Sequence, residues 1–328
     1  MSTSLTTNNP PYEVEELPGV LRLYSDGSIV RSFKPLLDVP VNDDGSIVWK
    51  EVLFDTTKNL YLRLYKPVST LINTKLPIFY YIPGGGFCIG MGMWPNFQND
   101  CFRLASELQA IVIAPDYRLA LEHRLPAAIE DVYTAVKWLK DQAVSENPDA
   151  WLNDVADFGR VFISGDFAGT NIAHNLAVLL GAGSEKLTPV RVRGYVLMEP
   201  FFGGTILTKA EAEGSKEAQL NLEFIDKFWK LSIPVEATKD HPMVNPFGPD
   251  IPLMETLELD PILVVVGSSD LLKDRVEEYA SKLKARGKKI KYIEYENKQH
   301  DFFTLDPYCE ASINFMQATK KFIAENSF

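Results

Sequence analysis

The segment VFISGDFAGTNIAHNLAVLL, residues 161–180, decides the fold of this chain. It opens with the apolar run Val161–Ser164, whose lack of alternation is typical of a strand buried on both faces. Gly165 and Gly169 enclose a short turn, and the apolar residues from Ile172 onward follow a helical pattern. The segment therefore predicts a buried strand, a sharp turn and a helix in immediate succession.

Further runs along the chain repeat this succession of strand and helix. The other strand-like runs are Pro77–Ile82, Ala110–Ala114, Val192–Met198, Ile262–Val266 and Lys291–Tyr295. The last of them is the most polar and is expected near an edge of the sheet. The helical patterns follow Pro126 and span Ile172–Leu180, Arg275–Ala285 and Ala311–Ile323. This alternation predicts the α/β class, with a mostly parallel central sheet and helices on both of its faces.

The flanking segments suggest the domain organisation. Two antiparallel strand pairs are predicted ahead of the core, one from Leu21 to Phe33 and one from Ile47 to Tyr65. Residues 1–16 are expected to form a flexible tail, and residues 17–328 a single domain. The segment 205–233 breaks the alternation, because it is polar at first and then becomes helical and aromatic. It is predicted to be a small helical cap over the carboxyl ends of the strands.

Composition and charge exclude several classes of protein. The 328 residues are 46% hydrophobic and carry 33 basic against 44 acidic side chains, a formal net charge of −11. Such an acidic chain has no general attraction to nucleic acids or anionic membranes. Its three cysteines are scattered, and neither a signal peptide nor a membrane-spanning run is visible. We therefore expect a cytoplasmic protein, with the nucleus as an alternative, that has no nucleic-acid or membrane partner.

The residues that could take part in catalysis follow the carboxyl ends of predicted strands, where parallel sheets carry their binding and catalytic sites. Pro83–Phe87 is a glycine-rich turn that lets the backbone approach a ligand. Gly165–Gly169 has the frame of the G-x-S-x-G elbow, which projects a nucleophile between a strand and a helix. Asp270 follows the fifth core strand and His300 the sixth. This is the chain order of a nucleophile, an acid and a base.

Taken together, these motifs resemble the plant carboxylesterase-like group of α/β-hydrolases, in the hormone-sensitive-lipase-type branch. The matching motifs are PGGGF at 83–87, DYRLALEHRLPAA at 116–128, GDFAGTNIAHN at 165–175, and SSDLLKD at 268–274 followed by His300. The resemblance runs from about Leu17 to the end of the chain and is greatest to the strigolactone-degrading carboxylesterases. The group also includes the gibberellin receptor, 2-hydroxyisoflavanone dehydratase, and alkaloid cyclases related to catharanthine and tabersonine synthases.

The chain departs from the family pattern at residues that ester hydrolysis requires. Phe167 stands where the pattern GDSAGGN has its serine, and Thr170 stands where it has its last glycine. Pro83 replaces the histidine of HGGGF, and Leu121 replaces the proline of DYRLAPEHR. Because phenylalanine has no oxygen that a histidine could deprotonate, no acyl-enzyme is expected to form at position 167.

The resemblance also implies roles for residues that match the family pattern. It implies that Asp270 and His300 remain as the acid and the base of the family. It also implies an oxyanion hole formed by the backbone N–H groups of Gly84, Gly85 and Ala168. The pocket around Phe167 is expected to be lined by Pro83, Gly86, Phe87, Phe224, Phe228 and Trp229.

Three functions remain open on the sequence alone. The first is a lyase or cyclase in which His300 and Asp270 perform acid–base chemistry, by elimination or cyclisation, on a small apolar plant metabolite. The second is a non-catalytic binding or receptor-like protein, and the third is an esterase with weak turnover. Because the chain shows no dinucleotide fingerprint, no phosphate-binding loop and no metal-ligand spacing, no cofactor or metal is expected.

Overall fold

A computed structural model describes residues 10–32, 34, 39–69, 75–90, 92, 94–218, 220–249 and 256–328. The chain divides into two compact units, Met1–Asp38 and Val39–Phe328. Within the described ranges, no helix combines the length and the apolarity that a membrane-spanning segment requires.

Strands and helices are numbered here in chain order. The strands are β1 (Glu13–Leu17), β2 (Leu21–Tyr24), β3 (Ile29–Arg31), β4 (Ile47–Asp55), β5 (Leu60–Pro67), β6 (Leu76–Ile82), β7 (Ile111–Pro115), β8 (Ala156–Asp166), β9 (Val192–Met198), β10 (Ile262–Gly267) and β11 (Ile290–Tyr295). The helices are α1 (Pro95–Leu108), α2 (Ala127–Val144), α3 (Ala150–Val155), α4 (Ala168–Leu180), α5 (Lys209–Glu213), α6 (Leu222–Ser232), α7 (Lys273–Ala285), α8 (Phe302–Leu305) and α9 (Glu310–Glu325).

The first unit is a three-stranded antiparallel sheet in the order β1-β2-β3. Strands β2 and β3 join at the predicted turn, where Gly27 has a left-handed φ of 83°. The carboxylate of Asp26 accepts hydrogen bonds from the N–H and the hydroxyl of Ser28, which closes this turn. Phe33, the predicted end of the pair, lies outside the described residues.

The N-terminal boundary differs from the sequence-based expectation of a tail up to residue 16 followed by one domain. Residues 13–16 belong to β1, because they pair in antiparallel register with β2. The division between the compact units follows Asp38. Residues 1–9 lie outside the described part of the chain. The short acidic strand was missed because its pairing partner, and not its own composition, makes it a strand.

The second unit contains an eight-stranded sheet in the order β11-β10-β9-β8-β6-β7-β5-β4. The strands from β11 to β7 are parallel, whereas β5 pairs in the antiparallel sense with both β7 and β4. Every residue of β6, β7 and β10 is buried, while the more polar β11 lies at one edge as predicted. The predicted α/β class with a mostly parallel sheet is thus confirmed.

Helices cover both faces of this sheet. Successive residues of β6 point to opposite faces of the sheet. On one face, Phe79 and Tyr81 pack into the core shared with Phe97 of α1 and Phe315 of α9. Tyr80, between them in sequence, points the other way and donates a hydrogen bond from its hydroxyl to a carbonyl of α2 at 2.9 Å. On that second face, α2 contacts α4, and α4 packs on β8 and β9.

The predicted cap segment, residues 205–233, contains α5 and α6. Helix α5 begins with a capping box in which Thr208 and Glu211 satisfy each other's backbone N–H groups. The carboxylate of Glu211 also pairs with the guanidinium of Arg275 in α7, at 2.5 and 2.6 Å, and both side chains are buried. This bidentate pair fastens the cap segment to the helical layer of the second unit.

Candidate active site

Phe167 occupies the sharp turn between β8 and α4. Its backbone has φ 46° and ψ −110°, a strained conformation that costs a non-glycine residue about 1–3 kcal/mol. Its N–H donates to the carbonyl of Met198 at 3.0 Å, and its carbonyl accepts from the N–H groups of Thr170 at 3.1 Å and Phe201 at 3.2 Å. The glycine frame of the sequence therefore forms the elbow, with a phenylalanine at its apex.

The two glycines of the elbow are required by close packing of the backbone. A Cβ atom on Gly165 would lie 2.2 Å from the carbonyl carbon of Gly169. A Cβ atom on Gly169 would lie 2.0 Å from the carbonyl oxygen of Ile82, at the end of β6. The turn can adopt this shape, and α4 can approach β6 this closely, only because both residues lack a side chain.

His300 and Asp270 form a hydrogen-bonded pair beside the elbow. Nδ1 of His300 lies 2.8 Å from Oδ2 of Asp270, and the other carboxylate oxygen accepts the backbone N–H of Leu272 at 2.8 Å. The imidazole contacts the ring of Phe167 edge to face, with the ring centroids 4.8 Å apart. The structure thus brings together the predicted acid, the predicted base and the apex of the elbow.

The predicted oxyanion-hole residues lie at the same place. Gly84 is adjacent to the elbow, since a Cβ atom on it would lie 3.2 Å from Cβ of Phe167. The hydroxyl of Tyr117 donates to the carbonyls of Pro83 and Gly84, at 2.8 and 3.1 Å, which fixes the glycine-rich loop. Among the described residues, the N–H groups of Gly84, Gly85 and Ala168 have no acceptor, so they remain able to bind an anionic oxygen.

Aromatic side chains of the core and the cap surround Phe167. Its ring lies 4.2 Å from that of Phe201 and 5.9 Å from that of Phe228, centroid to centroid. Phe201 in turn stacks on Trp229 at 3.9 Å, and the ring of Phe228 covers Gly86 so closely that a Cβ atom there would lie 2.3 Å away. The predicted proximity of the cap to Phe167 is therefore present in the structure.

The remaining predicted pocket residues belong to this aromatic cluster or border it. Phe87 lies 5.8 Å from Trp229, and Phe224 lies 6.4 Å from Phe228. Phe201, which makes the shortest ring contact with Phe167, was not predicted. The sequence could have indicated Phe201 through its position just after the carboxyl end of β9. Pro200 and Phe201, however, resemble an ordinary strand terminus.

Three carboxylates near His300 were also missed by the sequence analysis. Glu199 follows β9, Asp166 ends β8, and Asp301 follows His300 in the chain. Oε2 of Glu199 lies 3.5 Å from Nδ1 of His300 and accepts the backbone N–H of Asp301 at 2.6 Å. Glu199 is fully buried and Asp166 nearly so. With Asp270, these residues surround a single imidazole with four carboxylates.

The electrostatics of this group favour protonated forms. Burial alone would lower the pKa of His300, but the carboxylates of Asp270, Glu199 and Asp301 outweigh it and raise that pKa well above its usual value. Burial raises the pKa of Glu199 and of Asp166 well above the usual carboxyl range and the neighbouring carboxylates raise them further, whereas the positive charge of His300 lowers both. Burial therefore favours the protonated acids, while the charged forms of His300 and Glu199 stabilise each other.

Two sets of these side chains bring possible metal ligands within 4.8 Å of one another. They are Glu199, Asp270 and His300, and Asp166, Glu199 and Asp301. Carboxylate oxygens suit Mg²⁺ or Ca²⁺. Hydrogen bonds already join Nδ1 of His300 to Asp270, and the N–H of Asp301 to Glu199, at 2.8 and 2.6 Å. These bonds account for the closeness of the atoms without an ion.

Comparison with known proteins agrees with this geometry. Residues 79–304 match a family described as having the alpha/beta hydrolase fold. The chain is 34% identical over 283 residues to "Probable carboxylesterase 6" of Arabidopsis thaliana, which covers 83% of this chain and 82% of the relative. It is 32% identical over 335 residues to 2-hydroxyisoflavanone dehydratase of Glycyrrhiza echinata, covering 98% and 99%. An esterase of Pyrobaculum calidifontis matches with a TM-score of 0.70 at 26% identity, covering 87% of this chain and 86% of that one.

Proposed function

This chain belongs to the carboxylesterase-like branch of the alpha/beta hydrolase fold family, and we propose that it is a member without a serine nucleophile that catalyses a non-hydrolytic reaction. The reaction is an elimination or a cyclisation of a small apolar metabolite, with His300 and Asp270 as the acid–base pair. The observation that carries this proposal is Phe167 at the apex of an otherwise retained elbow, in ring contact with a hydrogen-bonded His300.

Neighbouring hydroxyls offer no replacement for the missing nucleophile. Ser164 is buried in β8, and its hydroxyl donates to the carbonyl of Tyr80 at 2.7 Å. Thr170 is buried in α4, and its hydroxyl donates to the carbonyl of Phe167 at 2.5 Å. Both hydroxyls are held by backbone groups instead of by His300. Since loss of a serine nucleophile typically costs about 10⁴–10⁶ in rate, acyl transfer is not the activity this site favours.

Acid–base chemistry remains within reach of the same site. Among the described residues, Nε2 of His300 has no hydrogen-bond partner, whereas Nδ1 is held by Asp270. In an elimination, the imidazole accepts a proton from a substrate carbon and supplies one to the departing hydroxyl, so that one water leaves and the protein's proton count is restored. In a cyclisation, the same ring moves a proton from one substrate atom to another. Neither reaction requires an oxidant, a reductant or a cofactor.

The carboxylates around His300 raise its pKa, which favours the protonated imidazole. The protonated ring can donate a proton to a leaving group as a general acid, and the neutral ring can accept one as a general base. The free N–H groups of Gly84, Gly85 and Ala168 would stabilise negative charge that develops on a substrate oxygen. The aromatic rings around Phe167 are almost fully buried against one another, and a small apolar metabolite is the substrate class that suits contact with the little of them that is exposed.

A chemical test separates this proposal from ordinary esterase activity. We expect no covalent labelling of the purified protein by a serine-directed fluorophosphonate, and hydrolysis of p-nitrophenyl butyrate no faster than the buffer background. The reason is that position 167 offers no oxygen for acylation or phosphonylation. Intact-protein mass spectrometry measures the labelling, with an active serine esterase as the positive control. Stoichiometric labelling of any residue in the pocket would contradict the proposal.

A binding protein without turnover is the second candidate, and one observation favours it. Phe167 is only 5% exposed and is packed between Phe201, Phe228 and His300. A ring in this position takes up part of the space that an acyl group would occupy, which disfavours turnover of an ester at this place. A ligand that is retained but recovered unchanged would favour this candidate over catalysis.

A further inference from the structure

We propose that Glu199 is a positioning residue for His300, and that the carboxylates of Glu199 and Asp270 together hold the imidazole in place through its Nδ1 atom. The two acids come from neighbouring strands of the sheet. Glu199 directly follows β9 and Asp270 follows β10, while β9 lies between β10 and the elbow strand β8. Both carboxylates therefore reach His300 from the same edge of the sheet.

The two carboxylates lie at different but similarly short distances from Nδ1 of His300. Oδ2 of Asp270 lies 2.8 Å from Nδ1 of His300, and Oε2 of Glu199 lies 3.5 Å from the same nitrogen. The first distance is a hydrogen bond, and the second is a close charge contact that a small movement of the ring would convert into one. The imidazole thus has a second acceptor available on the side away from the substrate.

The backbone around Glu199 fixes its carboxylate in place. Its N–H donates to the carbonyl of Val265 in β10 at 2.8 Å, and its Oε2 accepts the N–H of Asp301 at 2.6 Å. Glu199 and Asp301 both have left-handed backbones, with φ of 52° and 61°. Non-glycine residues hold such conformations only where their surroundings enforce them, and functional sites are where they cluster. Glu199 thereby also anchors the peptide that follows His300.

The charge of Glu199 is expected to affect the protonation of His300. Among the described residues, the only cationic partner of the fully buried Glu199 is His300, and its Oε1 has no hydrogen-bond partner. Burial raises the pKa of Glu199, so its ionised form depends on the protonated His300, and the two charged groups stabilise each other. The other acidic side chains that face His300 are Asp270, Asp301 and Asp166, and burial raises the pKa of the last two. Removing Glu199 should therefore shift the His300 equilibrium toward the neutral ring.

The expected measurement is the titration of His300 itself, followed by NMR in protein labelled with ¹³C-histidine. The chain has four histidines, and His300→Gln identifies the signal that belongs to this one. We expect Glu199→Gln to move the titration midpoint of His300 to lower pH, because one carboxylate that favours the charged ring is gone. Glu296→Gln removes a carboxylate from an exposed position four residues away and should leave the midpoint unchanged.

A second pair of variants keeps the proposal testable even if Glu199→Gln fails to fold. In Asp270→Asn, the midpoint should stay above that of an exposed histidine, because Glu199 still faces the ring. Glu199→Asp should fold and place the midpoint between wild type and Glu199→Gln. An unchanged midpoint in Glu199→Gln would overturn the proposal, and so would a midpoint in Asp270→Asn no higher than that of an exposed histidine. The effect on turnover rests on the proposed function, but these titrations do not, so the two can fail separately.

Discussion

Phe167→Ser is expected to turn the protein into a measurable esterase for short acyl esters. The new hydroxyl would stand at the apex of the elbow, next to a His300 that Asp270 already holds at 2.8 Å. The N–H groups of Gly84, Gly85 and Ala168 would be available to the oxyanion. Since a nucleophile is worth about 10⁴–10⁶ in rate, we expect a gain of at least about 10²-fold over wild type even with the other substitutions in place.

The structure indicates that this variant should fold. The backbone of residue 167 is already in its strained conformation, with φ 46°, so serine adds no new strain there. Loss of the ring from its contacts with Phe201 and Phe228 costs about 3–5 kcal/mol if the space stays empty. The same space would receive the acyl group. Thr170 should be left in place, because its hydroxyl donates to the carbonyl of residue 167 and accepts the N–H of Phe201.

Hydrolysis of p-nitrophenyl acetate and fluorophosphonate labelling measure this gain. Phe167→Ala is the matched control, because it opens the same space without supplying an oxygen and should stay at the wild-type level. Adding Pro83→His should raise the activity of the serine variant further by restoring the family's HGGGF motif. A folded Phe167→Ser/Pro83→His protein with neither hydrolysis nor labelling would show that His300 and Asp270 are not poised for catalysis.

Gly169→Ala is expected to lower the free energy of unfolding by about 3 kcal/mol or more. The added Cβ would lie 2.0 Å from the carbonyl oxygen of Ile82 and 3.0 Å from that of Pro83, both backbone atoms at the end of β6. Backbone atoms cannot rotate away as a side chain can, so α4 or the glycine-rich loop must shift. This also predicts that Phe167→Ser/Gly169→Ala gains less esterase activity than Phe167→Ser alone.

Urea unfolding followed by circular dichroism measures this loss. Gly159→Ala in β8 is the control, since its Cβ would meet only the side-chain oxygen of Asp157, at 3.2 Å. The control should change the free energy of unfolding by less than about 1 kcal/mol. Equal stability of the two variants would mean that the elbow is loosely packed, contrary to the geometry described above.

Much of the fold could be predicted because its signals are local. Apolar runs such as Val161–Ser164 and Ile262–Val266 carry the mark of strands buried on both faces, and they form β8 and β10. The elbow could be predicted from the spacing of Gly165 and Gly169. Strand β1 could not, because an exposed acidic strand is defined by its pairing with β2 and by nothing in its own pattern.

The site was only half visible in the sequence for a related reason. Asp270 and His300 follow strands in a familiar order and belong to recognisable motifs. Glu199 and Phe201 follow β9, where nothing in the sequence marks them, and they become part of the site only through the neighbouring positions of β8, β9 and β10 in the sheet. Contacts between strand ends that are far apart in the chain depend on the order of the strands in the sheet. No single segment of the sequence predicts that order.

The most direct test of the central claim is to incubate the protein with metabolite extracts from the tissue that expresses it, and to compare the extracts by mass spectrometry before and after. We use wild type beside His300→Gln, which should bind the same compounds. We expect wild type to deplete a small apolar compound and to form a product that is an isomer or lacks one water, while His300→Gln leaves the compound intact. Retention of an unchanged compound by both proteins, with no product, would contradict catalysis and favour a binding protein.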